Sequence, residues 1–142
     1  MQDRIPVIVG GGGAKRTPAM AARFATEFNL PFPEFADVPA KFAGVRAACE
    51  AIERDPNELT YSAALVVAAG ADEAEFTRRA AAIGREPAEL REHGLAGTAS
   101  EVVDRLGALQ ADGVECVYLQ VLDLQDLDHL DFIAREIVPQ LG

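Results

Sequence analysis

The chain has 142 residues, of which 49% are hydrophobic and 25% charged, as is typical of one globular domain rather than a disordered tail. Its formal net charge of −10 argues against a nucleic-acid partner and against an anionic membrane surface. There is no apolar run of the roughly 20 residues that cross a bilayer, no signal-peptide layout, and too few cysteines for a disulfide scaffold. We therefore expect a single cytoplasmic domain over residues 1–142.

The first half of the sequence alternates between apolar runs and helical stripes. An apolar strand is predicted over residues 5–9 and ends at a run of glycines, after which Thr17 and Pro18 look like the N-cap and first residue of a helix that extends to about residue 25. The apolar face of that helix is expected to comprise Met20, Ala21, Phe24 and Ala25. A short second strand over 27–30 precedes a helix that Asp37 would cap. The apolar stripe of this helix is Val38, Phe42, Val45, Cys49 and Ile52.

The second half continues the alternation. A strand is predicted over 59–67, followed by a helix with the capping box Asp72/Glu75 and a stop at Gly84. A short helix over 87–93 is an extra segment before a helix that begins with a second capping box, Thr98/Glu101. A last strand over 114–122 precedes a final helix that Asp126 caps, with Leu130, Ile133, Ile137 and Leu141 along one side.

Strands and helices in alternation predict an α/β fold with a parallel sheet. The pattern counts as four βα units with a short helical insertion before the last strand. No Pro-, Gly- or Ser-rich linker divides the sequence into domains.

The most informative segment is the glycine run between the first strand and the first helix. Glycines there let the backbone approach a ligand closely, and a helix N-terminus presents unpaired N–H groups and a positive dipole end. Together these features favour an anion site, most often for phosphate, to which Thr17 would add a hydroxyl and Lys15 or Arg16 a charge. A flexible turn without a ligand is the alternative interpretation. The segment lacks the Lys-Ser/Thr of a Walker A motif, and a Rossmann dinucleotide site is the weaker interpretation.

Other polar or reactive residues give weaker signals. Neither His93 nor His129 has a partner at metal-ligand spacing, so structural or exposed roles are favoured and no metal site is predicted. Cys49 and Cys116 are interpreted as small buried side chains rather than nucleophiles. Asp123 follows the last strand and faces either a ligand at the sheet edge or the next loop. Four further polar residues could also face a site, although nothing in the sequence singles them out: Asn29, Thr60, Tyr61 and Gln120.

Two segments resemble the luciferase-like monooxygenase family, and in particular its branch that uses the deazaflavin F420. The first comprises residues 6–13, Arg16-Thr17, residues 21–25 and Asn29, and the second comprises residues 97–103, Leu106 and residues 113–119. Their order and spacing agree with the family, although Phe28 stands where the family usually has Trp. The resemblance implies a (βα)8 TIM barrel, of which this chain would supply roughly the last four βα units, the C-terminal half.

The resemblance also implies a cofactor, coenzyme F420 or alternatively FMN, and a small-molecule substrate. Carried over from the family, the cofactor phosphate would lie on Gly11, Gly12 and Gly13 through their N–H groups and on Thr17 through its hydroxyl and amide. The implied chemistry is hydride transfer or flavin-dependent oxygen insertion. The family's acid–base residues come mostly from the first half of the barrel, so no catalytic residue is assigned in this chain.

Half of a barrel would leave one face of its sheet uncovered. Candidates for that face are Leu65, Val67, Val117 and Leu119. Several hundred Å² of open apolar surface, at about 25 cal/mol per Å², would forgo on the order of 10 kcal/mol. We therefore expect either a homo-oligomer or a complementary N-terminal half-barrel as partner.

Two other interpretations remain open at the level of the sequence. One is a non-catalytic half-barrel that binds a phosphorylated ligand or a partner chain. The other is a complete flavodoxin-like α/β protein whose glycine run holds a nucleotide. The weak second strand and the segment before the last strand count against this second alternative.

Overall fold

A computed structural model of the chain describes residues 5–141, and its contacts fall into two compact units. The first unit extends to Ala64 and includes Asp112–Tyr118, whereas the second comprises Leu65–Ala111 and the chain from Leu119 onward. The strands are β1 (Ile8–Gly10), β2 (Glu27–Pro31), β3 (Thr60–Gly70), β4 (Leu95–Thr98) and β5 (Cys116–Gln120). The helices are α1 (Arg16–Phe24), α2 (Val38–Glu50), α3 (Glu73–Ala82), α4 (Pro87–His93), α5 (Ala99–Ala111) and α6 (Leu127–Phe132), which continues as a π-helical turn over Ile133–Ile137.

In the first unit, parallel pairing sets the register of three strands. β1 pairs with β2 so that Gly10 lies beside Asn29, and β2 pairs with β3 so that Asn29 lies beside Ser62. β5 also pairs with β3, where the Glu115 N–H donates to the Tyr61 carbonyl at 2.8 Å. The parallel α/β sheet predicted from the alternation is confirmed.

Helix α2 covers one face of this sheet. The Phe42 ring packs edge-on against Phe28 and Tyr61, with ring centroids 6.1 and 5.0 Å apart. The predicted stripe is buried at Val38, Phe42, Val45 and Cys49, but Ile52 lies beyond the end of the helix and is half exposed. Tyr61 is fully buried and its hydroxyl donates to the Pro56 carbonyl at 3.1 Å, so it does not face an open site.

In the second unit, both faces of the C-terminal part of β3 are covered, because residues 65–70 are all buried. β3 pairs in parallel with β4, a strand that the sequence analysis missed. The apolar cluster on one face is Val66, Ala68, Phe76, Ala80, Leu90 and Ala96. The prediction that Leu65 and Val67 face an uncovered surface is therefore wrong, and Val117 and Leu119 are only partly buried.

The helix termini confirm three of the five predicted caps. The Asp72 carboxylate accepts the Glu75 N–H and the Asp126 carboxylate accepts the His129 N–H, both at 2.9 Å, and Glu101 accepts the Thr98 N–H at 2.7 Å. Asp37 stands at the predicted cap position of α2, but its side chain makes no cap hydrogen bond. Thr17 is not an N-cap, because α1 begins two residues earlier than predicted, with Lys15 at the cap position. Pro18 fits in this first turn because its missing N–H would have no intrahelical acceptor.

The buried face of α1 consists of small residues. They are Pro18, Ala21, Ala22 and Ala25. Met20 and Phe24 stand beside this stripe and are 53% and 54% exposed, so the predicted apolar face is buried at Ala21 and Ala25 but not at its two large side chains. Small side chains let α1 pack closely, so the two large side chains of the same helix are left outside the contact.

The C-terminal end of α1 depends on one arginine. Arg54 donates to the carbonyls of Ala21 (3.3 Å), Ala22 (2.9 Å) and Ala25 (2.8 Å), and its side chain is only 16% exposed. Replacing Arg54 by Met keeps the aliphatic stem but removes the Arg54 donors from these carbonyls, of which Ala21 alone also accepts the Ala25 N–H. We expect a loss of about 2 kcal/mol in the free energy of unfolding, measured by urea denaturation.

Arg85→Met is the matched control. Arg85 pairs with Glu89, one turn along the chain, and both side chains are well exposed. This variant is expected to lose less than about 0.5 kcal/mol. Equal losses in the two variants would contradict the role of Arg54 as the cap of α1.

Candidate functional site

The glycine loop, residues 10–13, connects the C-terminal end of β1 to α1. Gly11 has a φ of +144°, a backbone conformation that side-chain-bearing residues rarely adopt. Its N–H donates to the Asn29 carbonyl at 3.1 Å, which continues the β1–β2 pairing into the loop. The loop is therefore fixed at its first residue by the sheet.

Thr17 lies against the same loop. A Cβ built on Gly11 would be 3.3 Å from the Thr17 Oγ1, and one built on Gly13 would be 2.9 Å from it, whereas one built on Gly12 meets no atom within 4 Å. The structure thus brings the four predicted site residues together. It also shows that Gly12 is the position with open space in front of it.

The N-terminus of α1 has neither a side-chain cap nor an acidic residue in its first turn. In contrast, carboxylates cap α3 and α6. The positive dipole end of α1 is therefore not neutralised by a carboxylate of its own helix, and Lys15 and Arg16 add positive charge beside it. This electrostatic environment favours an anion.

Lys41 is a component of the site that the sequence analysis missed. Its Nζ donates to the Gly12 carbonyl at 2.7 Å from α2, 29 residues further along the chain. No local pattern indicates this contact, because it depends on the packing of α1 and α2. The loop is thus flanked by a third cation.

The second unit contains a pocket around Arg79, which we call the Arg79 pocket. The Arg79 guanidinium is almost fully buried and donates to Asp126 at 3.0 Å and to the Ala69 carbonyl at 2.6 Å, and it pairs with Glu75 at 2.9 Å. The pocket is lined by Val67, Ala68, Arg79, Ile83, Leu122, Asp123, Asp126 and His129. Because its cation is used by internal partners, this pocket is better explained as a structural centre than as a ligand site.

His129 belongs to the same structural centre. It is 4% exposed, and its Nε2 accepts the Ala69 N–H at 3.0 Å. Burial and the neighbouring Arg79 lower the pKa of His129 below its ordinary value of 6.5. Asp123 accepts the Gln125 N–H at 3.0 Å at the start of the following loop, which is one of its two predicted positions.

The remaining candidates add no second site. Cys49 is buried as predicted, whereas Cys116 is only partly buried. Among residues 5–141, no group of three His, Cys, Asp or Glu side chains is placed to hold a metal ion. Within the same range, no helix is both long and apolar enough to cross a membrane.

Solved structures with the same fold are F420-dependent enzymes and monooxygenases. A coenzyme F420 dependent tetrahydromethanopterin reductase from Methanopyrus kandleri matches with a TM-score of 0.76 and 14% identity, over 97% of this chain and 51% of the reductase. An F420-dependent secondary alcohol dehydrogenase in complex with an F420-acetone adduct matches with a TM-score of 0.78 and 12% identity, over 99% and 50%. EDTA monooxygenase from Chelativorans sp. BNC1 matches with a TM-score of 0.75 and 19% identity, over 94% of this chain and 45% of the monooxygenase.

These likenesses confirm the predicted fold, a parallel α/β sheet of alternating strands and helices that matches about half of a longer solved barrel. The chain spans about half the length of the structures it matches. No protein-family model and no curated protein matches the sequence.

The buried, neutral His129 makes stability depend on pH. In the unfolded chain His129 takes up a proton below about pH 6.5, whereas in the folded chain its lowered pKa keeps it neutral. The unfolded state therefore binds more protons as the pH falls below 6.5, and stability decreases. We expect the urea midpoint to fall between pH 7 and about 5.5, before the carboxylates titrate.

His129→Gln keeps an acceptor for the Ala69 N–H but does not titrate, so its midpoint is expected to change much less over the same interval. His93→Gln, at a side chain that is 46% exposed, should retain the slope of the unmodified chain. An unchanged slope in His129→Gln would show that another group causes the pH dependence.

Proposed function

We propose that this chain belongs to the luciferase-like family and supplies the cofactor-phosphate-binding half of a flavin-type oxidoreductase that uses F420 or FMN. The observation that carries the proposal is the glycine loop, which faces open space at Gly12 and adjoins the uncapped N-terminus of α1. The fold supports it, because the matching structures include F420-dependent enzymes and a riboflavin lyase with modified FMN.

The residues at the loop fit a phosphate ester. Absence of a side chain at Gly12 lets an anion approach the backbone, and the N-terminus of α1 supplies N–H groups and a favourable dipole. The Thr17 hydroxyl lies against Gly11 and Gly13, within the same small space. Lys41 donates to the Gly12 carbonyl, so this acceptor oxygen already has a cationic hydrogen-bond partner.

The bound cofactor would supply hydride transfer, and this chain's loop would hold and orient its phosphate. In this proposal the catalytic acid–base groups and much of the substrate pocket belong to a complementary N-terminal half-barrel. Support for that partner comes from the length of the matching structures, of which this chain spans only about half.

Gly12→Val tests the phosphate site. A Cβ at Gly12 touches nothing in the protein, so the fold should be kept while the added side chain occupies the space that a phosphate needs. We expect FMN or F420 to bind at least tenfold more weakly, because contacts to a charged group contribute about 1.5–3 kcal/mol. Fluorescence titration measures the dissociation constants.

Riboflavin, which has no phosphate, distinguishes binding of the phosphate from binding of the rest of the cofactor. Its affinity should be the same in the unmodified chain and in Gly12→Val. Gly44→Val in α2, where an added Cβ also meets no neighbouring atom, is the matched control and should bind FMN normally. If the unmodified chain binds FMN no more tightly than riboflavin, the proposed phosphate site is wrong.

A further inference from the structure

The face of the first unit's sheet that α2 does not cover carries a hydrogen-bonded row of polar side chains. The Asn29 Nδ2 donates to the Ser62 Oγ at 2.9 Å, and the Ser62 Oγ donates to the Glu27 carboxylate at 2.5 Å. We call Glu27, Asn29 and Ser62 the polar row. Its residues come from adjacent strands, because the register places Asn29 beside Ser62.

Tyr118 extends the polar row onto β5. Hydrogen bonding to the Glu27 carboxylate is the main reason that the pKa of Tyr118 is raised above its ordinary value. The Tyr118 side chain is on the solvent side, with the residue 43% exposed, whereas Ser62 is fully buried beneath. Glu27 and Asn29 are partly exposed. A ligand can therefore reach Glu27, Asn29 and Tyr118 from the solvent, but not Ser62.

Most hydrogen-bond donors of this row are used internally. The Ser62 hydroxyl donates to Glu27, and one Asn29 N–H donates to Ser62. Most hydrogen-bonding positions left unused in the row are acceptors. They are further lone pairs of the Glu27 carboxylate, the Asn29 Oδ1 and the Tyr118 oxygen. A surface with surplus acceptors and a negative charge favours O–H and N–H groups and repels carboxylates and phosphates.

The row also approaches the glycine loop. The Asn29 Oδ1 lies 4.0 Å from the position of a Cβ built on Gly10, and the Asn29 carbonyl accepts the Gly11 N–H. A positive loop that favours an anion therefore adjoins a row of acceptors that disfavours one. A ligand with a phosphate at one end and uncharged O–H or N–H groups further along matches both.

We propose that the polar row, with Tyr118, binds the uncharged O–H- or N–H-bearing part of the ligand and orients it relative to the phosphate on the glycine loop. This inference rests on the proposed function, since it concerns the same ligand. It assigns Glu27 a binding role that neither the glycine loop nor the fold requires.

The probes are riboflavin, inorganic phosphate and FMN, and the variants are Glu27→Gln and Tyr118→Phe in the full chain. Riboflavin has hydroxyl and ring N–H donors but no phosphate, so it reports on the polar row, whereas inorganic phosphate reports on the loop. We expect either variant to bind riboflavin and FMN about tenfold more weakly and to bind phosphate as the unmodified chain does. Glu50→Gln, which changes the net charge equally on an exposed position of α2, should leave all three affinities unchanged.

The outcomes separate the two proposals. Unchanged riboflavin affinity in both variants, or no riboflavin binding to the unmodified chain, would overturn the role of the polar row while leaving phosphate binding at the loop intact. Loss of phosphate affinity equal to that of riboflavin would also overturn it, because the row would then act through the fold. A third outcome is that the variants bind riboflavin more weakly while the unmodified chain binds FMN no more tightly than riboflavin. This result would support the role of the polar row and reject the phosphate site.

Discussion

The parallel register of β1, β2 and β3 is the constraint on which the rest of the first unit depends. It places Gly10, Asn29 and Ser62 side by side on neighbouring strands. Because the strands are parallel, the loop that follows β1 leaves the sheet next to the Asn29 carbonyl, which fixes the first residue of the glycine loop. A shift of one residue would move Asn29 to the face that α2 covers and bury an amide among aromatic rings.

The same register divides the sheet into two chemically different faces. Phe28 and Tyr61 lie beside each other on the face toward α2, where Phe42 packs between them. Glu27, Asn29 and Ser62 lie on the other face and hydrogen bond to one another. A polar face loses less hydrophobic free energy when it is uncovered than an apolar face of the same area would.

Much of the fold followed from local patterns. Capping boxes at Asp72 and Thr98, and the stripe along α2, identified helices whose positions agree with the structure. β4 was missed because it is short and lies directly before a capping box, so that it reads as part of the helix start. Thr17 was misassigned because a Thr-Pro pair is typical of a helix start, whereas the cap position lies two residues earlier, at Lys15.

The site was only partly visible in the sequence. Consecutive glycines before a helix identified the loop, since that pattern has few other physical explanations. Lys41 and Glu27 were missed because their roles depend on contacts with Gly12 and Ser62, residues 29 and 35 positions away. Arg79 and His129 likewise interact across 47 and 60 residues, with Asp126 and Ala69, which no spacing rule reveals.

The proposed function depends on the binding of an anion at the junction of the glycine loop and α1. Assigned amide NMR spectra of the chain, recorded while inorganic phosphate is added, measure this binding residue by residue. Saturable shifts are expected on the N–H groups of residues 11–17, with the Arg79 pocket unaffected. An absence of saturable shifts there, or larger shifts around Arg79, would contradict the proposed function.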